Sequence, residues 1–206
     1  MNILVIGSHP DDFEYGCGGA LLKLKSFGAK INILVMTLGE LGGNPEVRKK
    51  EQEKVGKLLR AKIFFGNFPD TKISLSKELI NCIEQIIKNV KPDIIFVHYP
   101  EDTHQDHRNV SQATITATRY ARNVLFYESP TSINFSPTIF VDIGDVLNKK
   151  MSLLKTHRSQ VNATKIRGMS IIEGATSCAI FRGYQTRVKY AEGFVPLRFS
   201  LDLCLK

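Results

Sequence analysis

Two short stretches gather most of the ionisable chemistry of this chain. The first is Gly7-Ser8-His9-Pro10-Asp11-Asp12-Phe13-Glu14, and the second runs from His98 through Glu101, Asp102, His104, Asp106 and His107. Four of the five histidines lie in or beside these stretches. Gathering so many ionisable groups is unfavourable unless they hold something. Imidazole and carboxylate are common ligands of a divalent cation, so His9, Asp11, Asp12, His104, Asp106 and His107 are candidates for a metal site. His104 and His107, three apart, share one face of a helical turn. A catalytic zinc takes three protein ligands and leaves a fourth position open. The groups present exceed that need. The surplus suits hydrolysis, with a carboxylate as general base, a His as acid or oxyanion stabiliser, and an acid to orient that His. Spacing alone does not distribute these roles. The competing reading is an exposed acidic turn and a solvated His pair.

Something must hold the two clusters together. Ile3 to Ile6 is an unbroken apolar run immediately before the first cluster, and Ile94 to Val97 is another immediately before the second. Such runs read as strands buried on both faces. Pro10 stiffens the first turn. At Gly16, Gly18 and Gly19 the backbone is expected to approach a neighbour closely or to turn tightly before a helix over Ala20–Phe27, which stops at Gly28. Ile31 to Met36 reads as a strand leading into the glycine-rich loop around Gly39-Glu40. A charged helix follows from Pro45 to Arg60, with only Val47, Val55, Leu58 and Leu59 as its apolar stripe. A strand at Lys62–Phe65 and a turn at Phe68-Pro69-Asp70 come next. Leu75–Val90 is strongly amphipathic, with Leu79, Ile83, Ile86 and Val90 on one face. A helix starts within or just after the second cluster. Strands are expected at Val124–Tyr127 and Thr138–Ile143, a loop at Glu128–Pro137, a helix at Asp145–Thr156, and largely helical structure at 163–182. Tyr190–Leu203 reads as a final strand or an extended tail.

Strand and helix alternating four times predict an α/β fold, a mostly parallel sheet with helices on both faces. With 206 residues the chain is expected to be a single domain, 1–206. Gly7-Ser8-His9-Pro10 stands where a dinucleotide-binding glycine fingerprint would, which argues against such a cofactor in a Rossmann-like topology. In that topology the first and fourth strands are neighbours at the switch point, so the two clusters should face each other there.

Composition is that of a soluble globular chain, 43% hydrophobic and 23% charged. No stretch approaches the roughly 18–20 apolar residues of a membrane span, and no signal-peptide pattern opens the chain. Cys17, Cys82, Cys178 and Cys204 form no CxxC pair and read as reduced thiols. A cytoplasmic location is expected. The net charge of +8 raises the question of nucleic acid. The cations form no run of five, however, and aromatic stacking motifs are lacking, so no nucleic-acid partner is expected. An anionic small substrate is compatible with this charge.

His9-Pro10-Asp11-Asp12 with Gly16-Cys17-Gly18-Gly19, and then His104-Gln105-Asp106-His107, resembles the LmbE-like or PIG-L family of zinc-dependent de-N-acetylases. Those enzymes remove acetate from N-acetylglucosaminyl conjugates. The resemblance covers most of the chain, including the Gly39-Glu40 loop, Arg48-x-x-Glu51 and Tyr190-Ala191-Glu192-Gly193-Phe194. It implies His9, Asp12 and His107 as ligands of Zn2+, with Fe2+, Co2+ or Mn2+ as substitutes. It implies Asp11 as general base and a cationic His104 as the oxyanion's partner, its ring held and kept protonated by Asp106. Arg48 and Tyr190 would touch the substrate, with Tyr184 competing for the second place. The implied substrate is a small N-acetyl amino-sugar conjugate, and the implied assembly a homo-oligomer, trimer or hexamer. The chain departs from the pattern at Phe13, where many members have an acid. Glu14, one residue later, is a partner within the site or simply an acid at a helix start. Two alternatives remain: amide or ester hydrolysis on a non-sugar substrate, and a basic nucleotide- or nucleic-acid-binding module.

Overall fold

The computed structural model describes residues 1–200 and 202. The elements run β1 (Asn2–Gly7), α1 (Asp12–Ser26), β2 (Lys30–Val35), α2 (Pro45–Leu59), β3 (Lys62–Phe65), α3 (Lys77–Val90), β4 (Ile94–His98), α4 (Gln105–Ala117), β5 (Val124–Tyr127), β6 (Ile139–Asp142), α5 (Leu147–Thr156), α6 (Ile171–Thr186) and β7 (Ala191–Arg198). The sheet order is β3-β2-β1-β4-β5-β7-β6. The first five strands in that order are parallel, and β7 pairs antiparallel with both β5 and β6. The expected α/β, Rossmann-like fold is present. β1 and β4 are neighbours, so the chain reverses its direction of winding between them. This is the switch point at which parallel sheets open a crevice beyond their strand ends.

Strand alternation divides the core. Ile3, Val5, Ile31, Ile33 and Phe96 face one side and pack on Phe13, Cys17, Leu21, Val55, Leu59 and Leu153 of α1, α2 and α5. Leu4, Ile6, Leu34, Met36, Ile95 and Val97 face the other and pack on Leu79, Ile83, Val110 and Ala113 of α3 and α4. The period of two sends successive side chains to opposite faces, and each buried Leu, Ile or Val contributes about 1.5–3 kcal/mol. Both faces are covered, which explains the uninterrupted apolar runs.

Three expectations require correction. Helix α1 starts at Asp12, eight residues before Ala20, and contains Gly16, Gly18 and Gly19. Two of these glycines allow close packing inside the helix: a Cβ at Gly16 would strike the Tyr127 ring and sit 2.6 Å from the Glu128 carbonyl oxygen, and one at Gly19 would lie 2.6 Å from Ile143 Cγ2. Residues 157–170 are irregular, and the helix expected over 163–182 is α6, Ile171–Thr186, opened by a capping box of Ser170 and Glu173. Of the stretch Tyr190–Leu203, Ala191–Arg198 is a strand, while Leu201 and Leu203 lie outside the described residues, as does Cys204. Cys17, Cys82 and Cys178 are free thiols.

Gly16→Ala is expected to destabilise the chain by about 1–3 kcal/mol through overpacking. At Gly18 the nearest foreign atom to an added Cβ is Lys150 Cγ at 3.6 Å, so Gly18→Ala should stabilise by about 0.5–1 kcal/mol. Urea unfolding of the two variants reads the difference. A stabilised Gly16→Ala would contradict the close seating of α1 on Tyr127.

Candidate active site

The site is built from strand ends. Asp11 follows the β1 turn with φ 91° and ψ −18°, the left-handed region that Asp tolerates better than most residues. As N-cap of α1 its side chain caps nothing. Asp12, the next residue, is already helical. Its Oδ2 accepts the His9 N–H at 2.7 Å, closing the turn. The reversal between them gives the two carboxylates different neighbours. Asp11 Oδ2 lies 3.8 Å from Arg48, whereas Asp12 faces histidines: Oδ1 is 3.4 Å from His107 Nε2 and Oδ2 is 3.5 Å from His9 Nδ1.

The second cluster arrives from β4 and α4. His98, at the end of β4, is sealed in the core, stacks on His107 at 3.9 Å, and accepts the Ser8 N–H at Nε2 (3.0 Å). His104 is the N-cap of α4, with its Nδ1 accepting the Asp106 N–H at 3.2 Å. His107, one turn into the helix, sets Nδ1 3.1 Å from Asp102 Oδ2. His9, Asp12 and His107 offer ligand atoms within 4.8 Å of one another, and so do His9, His104 and Asp106.

The donor chemistry separates these two sets. His9 Nε2 lies 3.0 Å from Asp70 Oδ1 and 3.3 Å from Asp106 Oδ2. That leaves Nδ1 unspent on the Asp12 side. His107 is likewise held at Nδ1 by Asp102, so Nε2 is its free nitrogen. His107 Nε2 lies 3.4 Å from Asp12 Oδ1 and His9 Nδ1 lies 3.5 Å from Asp12 Oδ2, close enough for the three side chains to share one ion with metal–ligand bonds of about 2.0–2.2 Å. The residues present therefore fit a small divalent cation at His9, Asp12 and His107, with Asp70, Asp106 and Asp102 orienting the rings from behind.

Electrostatics point the same way. Burial disfavours charge on His9, yet Asp106, Asp12 and Asp70 raise its pKa well above the ordinary value. His107, also opposed by burial, is raised to about 9 by Asp12 and Asp102. The Asp12 carboxyl, despite burial, is held well below the usual range by His107 and His98. A divalent cation would satisfy the same carboxylates while taking the ring lone pairs that protons otherwise occupy. Burial, together with Asp12, pushes Asp11 up to about 6 against the pull of His157 and Arg48. Two adjacent carboxyls are thus driven apart.

Several expected residues sit differently from the sequence reading. Asp106 holds His104 through its backbone N–H, while its carboxylate turns to His9 and accepts the Thr71 N–H at 2.8 Å. With Nδ1 accepting, the neutral His104 ring carries its proton on Nε2. Burial and the neighbouring His107 and His9 lower its pKa. The geometry favours a neutral donor over the cationic one expected. Arg48 is buried, and its guanidinium donates to Gly39 O at 2.8 Å and Pro10 O at 2.9 Å. Glu51 accepts from Ser159, so Arg48 and Glu51 are not a surface pair. Tyr190 packs on Ile143, Val146 and Ala179, and Tyr184 is 73% exposed. Glu14 is fully buried, accepting from Gln52 and bonded to His157.

Asp70 and Asp102 were not singled out from the sequence. Phe68-Pro69-Asp70 read as a turn, and it is one at Asp70-Thr71. The overlooked signal was position: Asp70 follows β3, another parallel strand whose C-terminal end opens on the same crevice. Asp102 lay inside the second cluster, with nothing local to mark it as the partner of His107.

The model of the PIG-L family, described as GlcNAc-PI de-N-acetylase, matches residues 4–118. An Escherichia coli K12 protein, the uncharacterized deacetylase YaiS, is 36% identical over 76% of this chain and 90% of its own length. The structure of N,N'-diacetylchitobiose deacetylase from Pyrococcus horikoshii superposes with a TM-score of 0.83 at 25% identity, covering 98% of this chain and 88% of that one. The 4-carboxy-2-hydroxymuconate hydratase GalB of Pseudomonas putida has the same fold, with a TM-score of 0.83 at 20% identity over 97% of both chains.

A carboxyl whose folded pKa lies above its unfolded value loses stability as pH rises through the folded value. Asp11, moved from 3.8 to about 6, should therefore weaken the metal-free fold at pH 7–8 by about 1–3 kcal/mol. Asp11→Asn, which keeps the left-handed backbone, is expected to stabilise the metal-free chain by that amount at pH 7.5 and by nothing below pH 4. Denaturant unfolding across this range tests it. An Asn variant less stable than the parent at pH 7.5 would show that Asp11 is not held against its ionisation.

Proposed function

The chain belongs to the PIG-L family, and we propose that it is a metal-dependent hydrolase removing the acetyl group from an N-acetylglucosamine-type conjugate. The observation that carries the reading is the meeting of His9, Asp12 and His107 within 4.8 Å, beside a carboxylate, Asp11, that bonds to none of them. His9, Asp12 and His107 would hold the ion, zinc by ligand type, and the same donors accept iron, cobalt or manganese. When bound, such an ion supplies Lewis acidity and lowers the pKa of water toward neutrality.

Asp11 is the general base. It takes a proton from the attacking water and returns it to the nitrogen of the leaving amine. A pKa raised toward neutrality suits a group that must accept and then release a proton. His104 donates from Nε2 to the amide oxygen as the carbonyl carbon becomes tetrahedral. The N-cap bond from the Asp106 N–H fixes that ring, so the donor is aimed before substrate arrives. The Asp106 carboxylate instead helps Asp70 orient His9. Arg48 holds the Gly39 loop against Pro10 and sets a positive charge beside Asp11. Its part is positioning, with any sugar contact limited to its edge. An acetylated amino sugar as substrate is supported by the diacetylchitobiose deacetylase of the same fold, and the net charge of +8 suits a polar or anionic aglycone. The hydratase relative shows that the fold alone does not select the reaction.

Release of free amine should be measured on free N-acetylglucosamine, its malate and inositol conjugates, a sugar nucleotide and diacetylchitobiose, each with chelator and with zinc restored. Chelator-sensitive release from at least one conjugate is expected. No release from any, with zinc bound, would move the reaction to another acyl group or to water addition. Asp11→Asn should retain zinc and lose turnover by about 100- to 10,000-fold; loss of zinc in that variant would reverse the roles of Asp11 and Asp12. His107→Ala should lose the metal itself, and full occupancy by elemental analysis would remove His107 from the ligand set. Asp102→Asn should weaken zinc affinity about 10- to 100-fold, read by competition with a chromogenic chelator.

A further inference from the structure

The segment His157–Gln160 follows α5, far from both clusters in sequence and beyond the residues matched by the family model. It makes three attachments to three different walls of the site. His157 Nε2 lies 2.8 Å from Glu14 Oε1, both side chains being at most 1% exposed. The same Glu14 oxygen accepts Gln52 Nε2 at 2.9 Å, which draws in α2. Ser159 gives both its N–H (3.0 Å) and its hydroxyl (2.7 Å) to Glu51. Gln160 Nε2 donates to Gly42 O at 3.3 Å. One short segment therefore ties the first turn of α1, the inner face of α2 and the Gly39–Gly43 loop.

These are the surroundings of Asp11. Glu14 is one turn along the helix that Asp11 caps, and Tyr15 N–H bonds back to Asp11 O at 3.3 Å. Arg48, on α2, joins Gly39 O and Pro10 O. Packing alone gives no reason for charge here, since apolar side chains would join α5 to α1 at least as well as a buried ion pair. Glu14 Oε2, Gln52 Oε1, Arg48 Nε and His157 Nδ1 are also buried without a protein partner. A cluster serving stability alone would not concentrate such atoms. Directional bonds, unlike apolar contact, fix the rotation of a helical turn. That matters beside a residue in left-handed conformation, which persists only where its surroundings over-determine it.

We propose that His157 is a positioning residue for Asp11: through Glu14 it locks the first turn of α1 and so aims the carboxylate at the substrate. The proposal rests on the reading of Asp11 as general base. His157→Ala, His157→Gln and His157→Asn are compared with the parent, and His157→Ala is repeated in the Asp11→Asn background. Turnover is read on the conjugate that the parent hydrolyses fastest, and backbone hydrogen exchange on the chain without substrate.

His157→Ala should lower kcat about 100-fold, the effect of a catalytic group displaced by about 1 Å, with KM and zinc content within about twofold. Gln, whose amide can donate to Glu14 as Nε2 does, should recover at least about tenfold of this, and the shorter Asn should not. In the Asp11→Asn background the Ala substitution should cost no further turnover, because residues acting as a unit are not additive. Exchange should quicken at residues 10–16 and 39–43 and stay unchanged in β1 and β4. A kcat within about threefold of the parent, or a full additive loss beside Asp11→Asn, would reduce His157 to ordinary packing. Should the Ala variant fail to fold, the contrast between Gln and Asn decides the matter. If no conjugate is hydrolysed yet exchange responds as expected, the tie from His157 stands and the reaction reading falls. If amine is released and exchange does not respond, the reverse holds.

Discussion

The backbone reversal at Asp11 is the constraint on which the site depends. An L-residue in the left-handed region costs roughly 1–2 kcal/mol, and here that conformation separates two consecutive carboxylates. Asp12 enters the helix facing His9, His98 and His107. Asp11 stays outside it, beside Arg48. Without the reversal both acids would compete for the same rings. Helix α1 leaving at that point, β1 arriving at it and the bond from His9 N–H to Asp12 are all needed to hold it.

Around that turn the chemistry is organised as paired charges. Each ring of the candidate His9–Asp12–His107 cluster is backed by a carboxylate, His9 by Asp70 and Asp106, His107 by Asp102. The backing acid fixes which nitrogen is free and makes that nitrogen a better donor. The same arrangement drives the two adjacent acids in opposite directions, Asp12 below the ordinary carboxylate range and Asp11 up to about 6. One is held in its charged form, and the other is pushed toward neutrality. The difference comes from neighbours, since the two side chains are identical.

The sheet supplies the convergence. β1, β3 and β4 are parallel, so their C-terminal ends open in one direction and bring His9, Asp70 and His98 to one crevice. Helix α1 approaches the end of β5 closely at Gly16, and Tyr127 donates its hydroxyl to Ile6 O at 2.8 Å. Helix α2 gives up much of an apolar inner face to present Arg48, Glu51 and Gln52 to this region, leaving Val47 and Leu58 exposed. That inversion explains its thin apolar stripe.

Much of this was legible in the chain itself. Uninterrupted apolar runs predict strands covered on both faces, and those strands placed His9 and the His98–His107 cluster at or just beyond strand ends, because burial acts over a few consecutive residues. The amphipathic pattern of Leu79 and Ile83 located α3 for the same reason. The start of α1 was not legible, since three glycines in four residues weaken the local helix signal, and the reason for a missing side chain, Tyr127 against Gly16 and Ile143 against Gly19, lies far away in sequence. Nor were the partners of the site residues. Asp70 meets His9 across 61 residues, Asp106 meets it across 97, and His157 meets Glu14 across 143. Local sequence determined which groups could do chemistry and which elements would carry them. Only the order of strands in the sheet decided that Asp70 and Asp106 stand behind His9, because a hydrogen bond is settled within about 3 Å and no periodicity reaches across such separations.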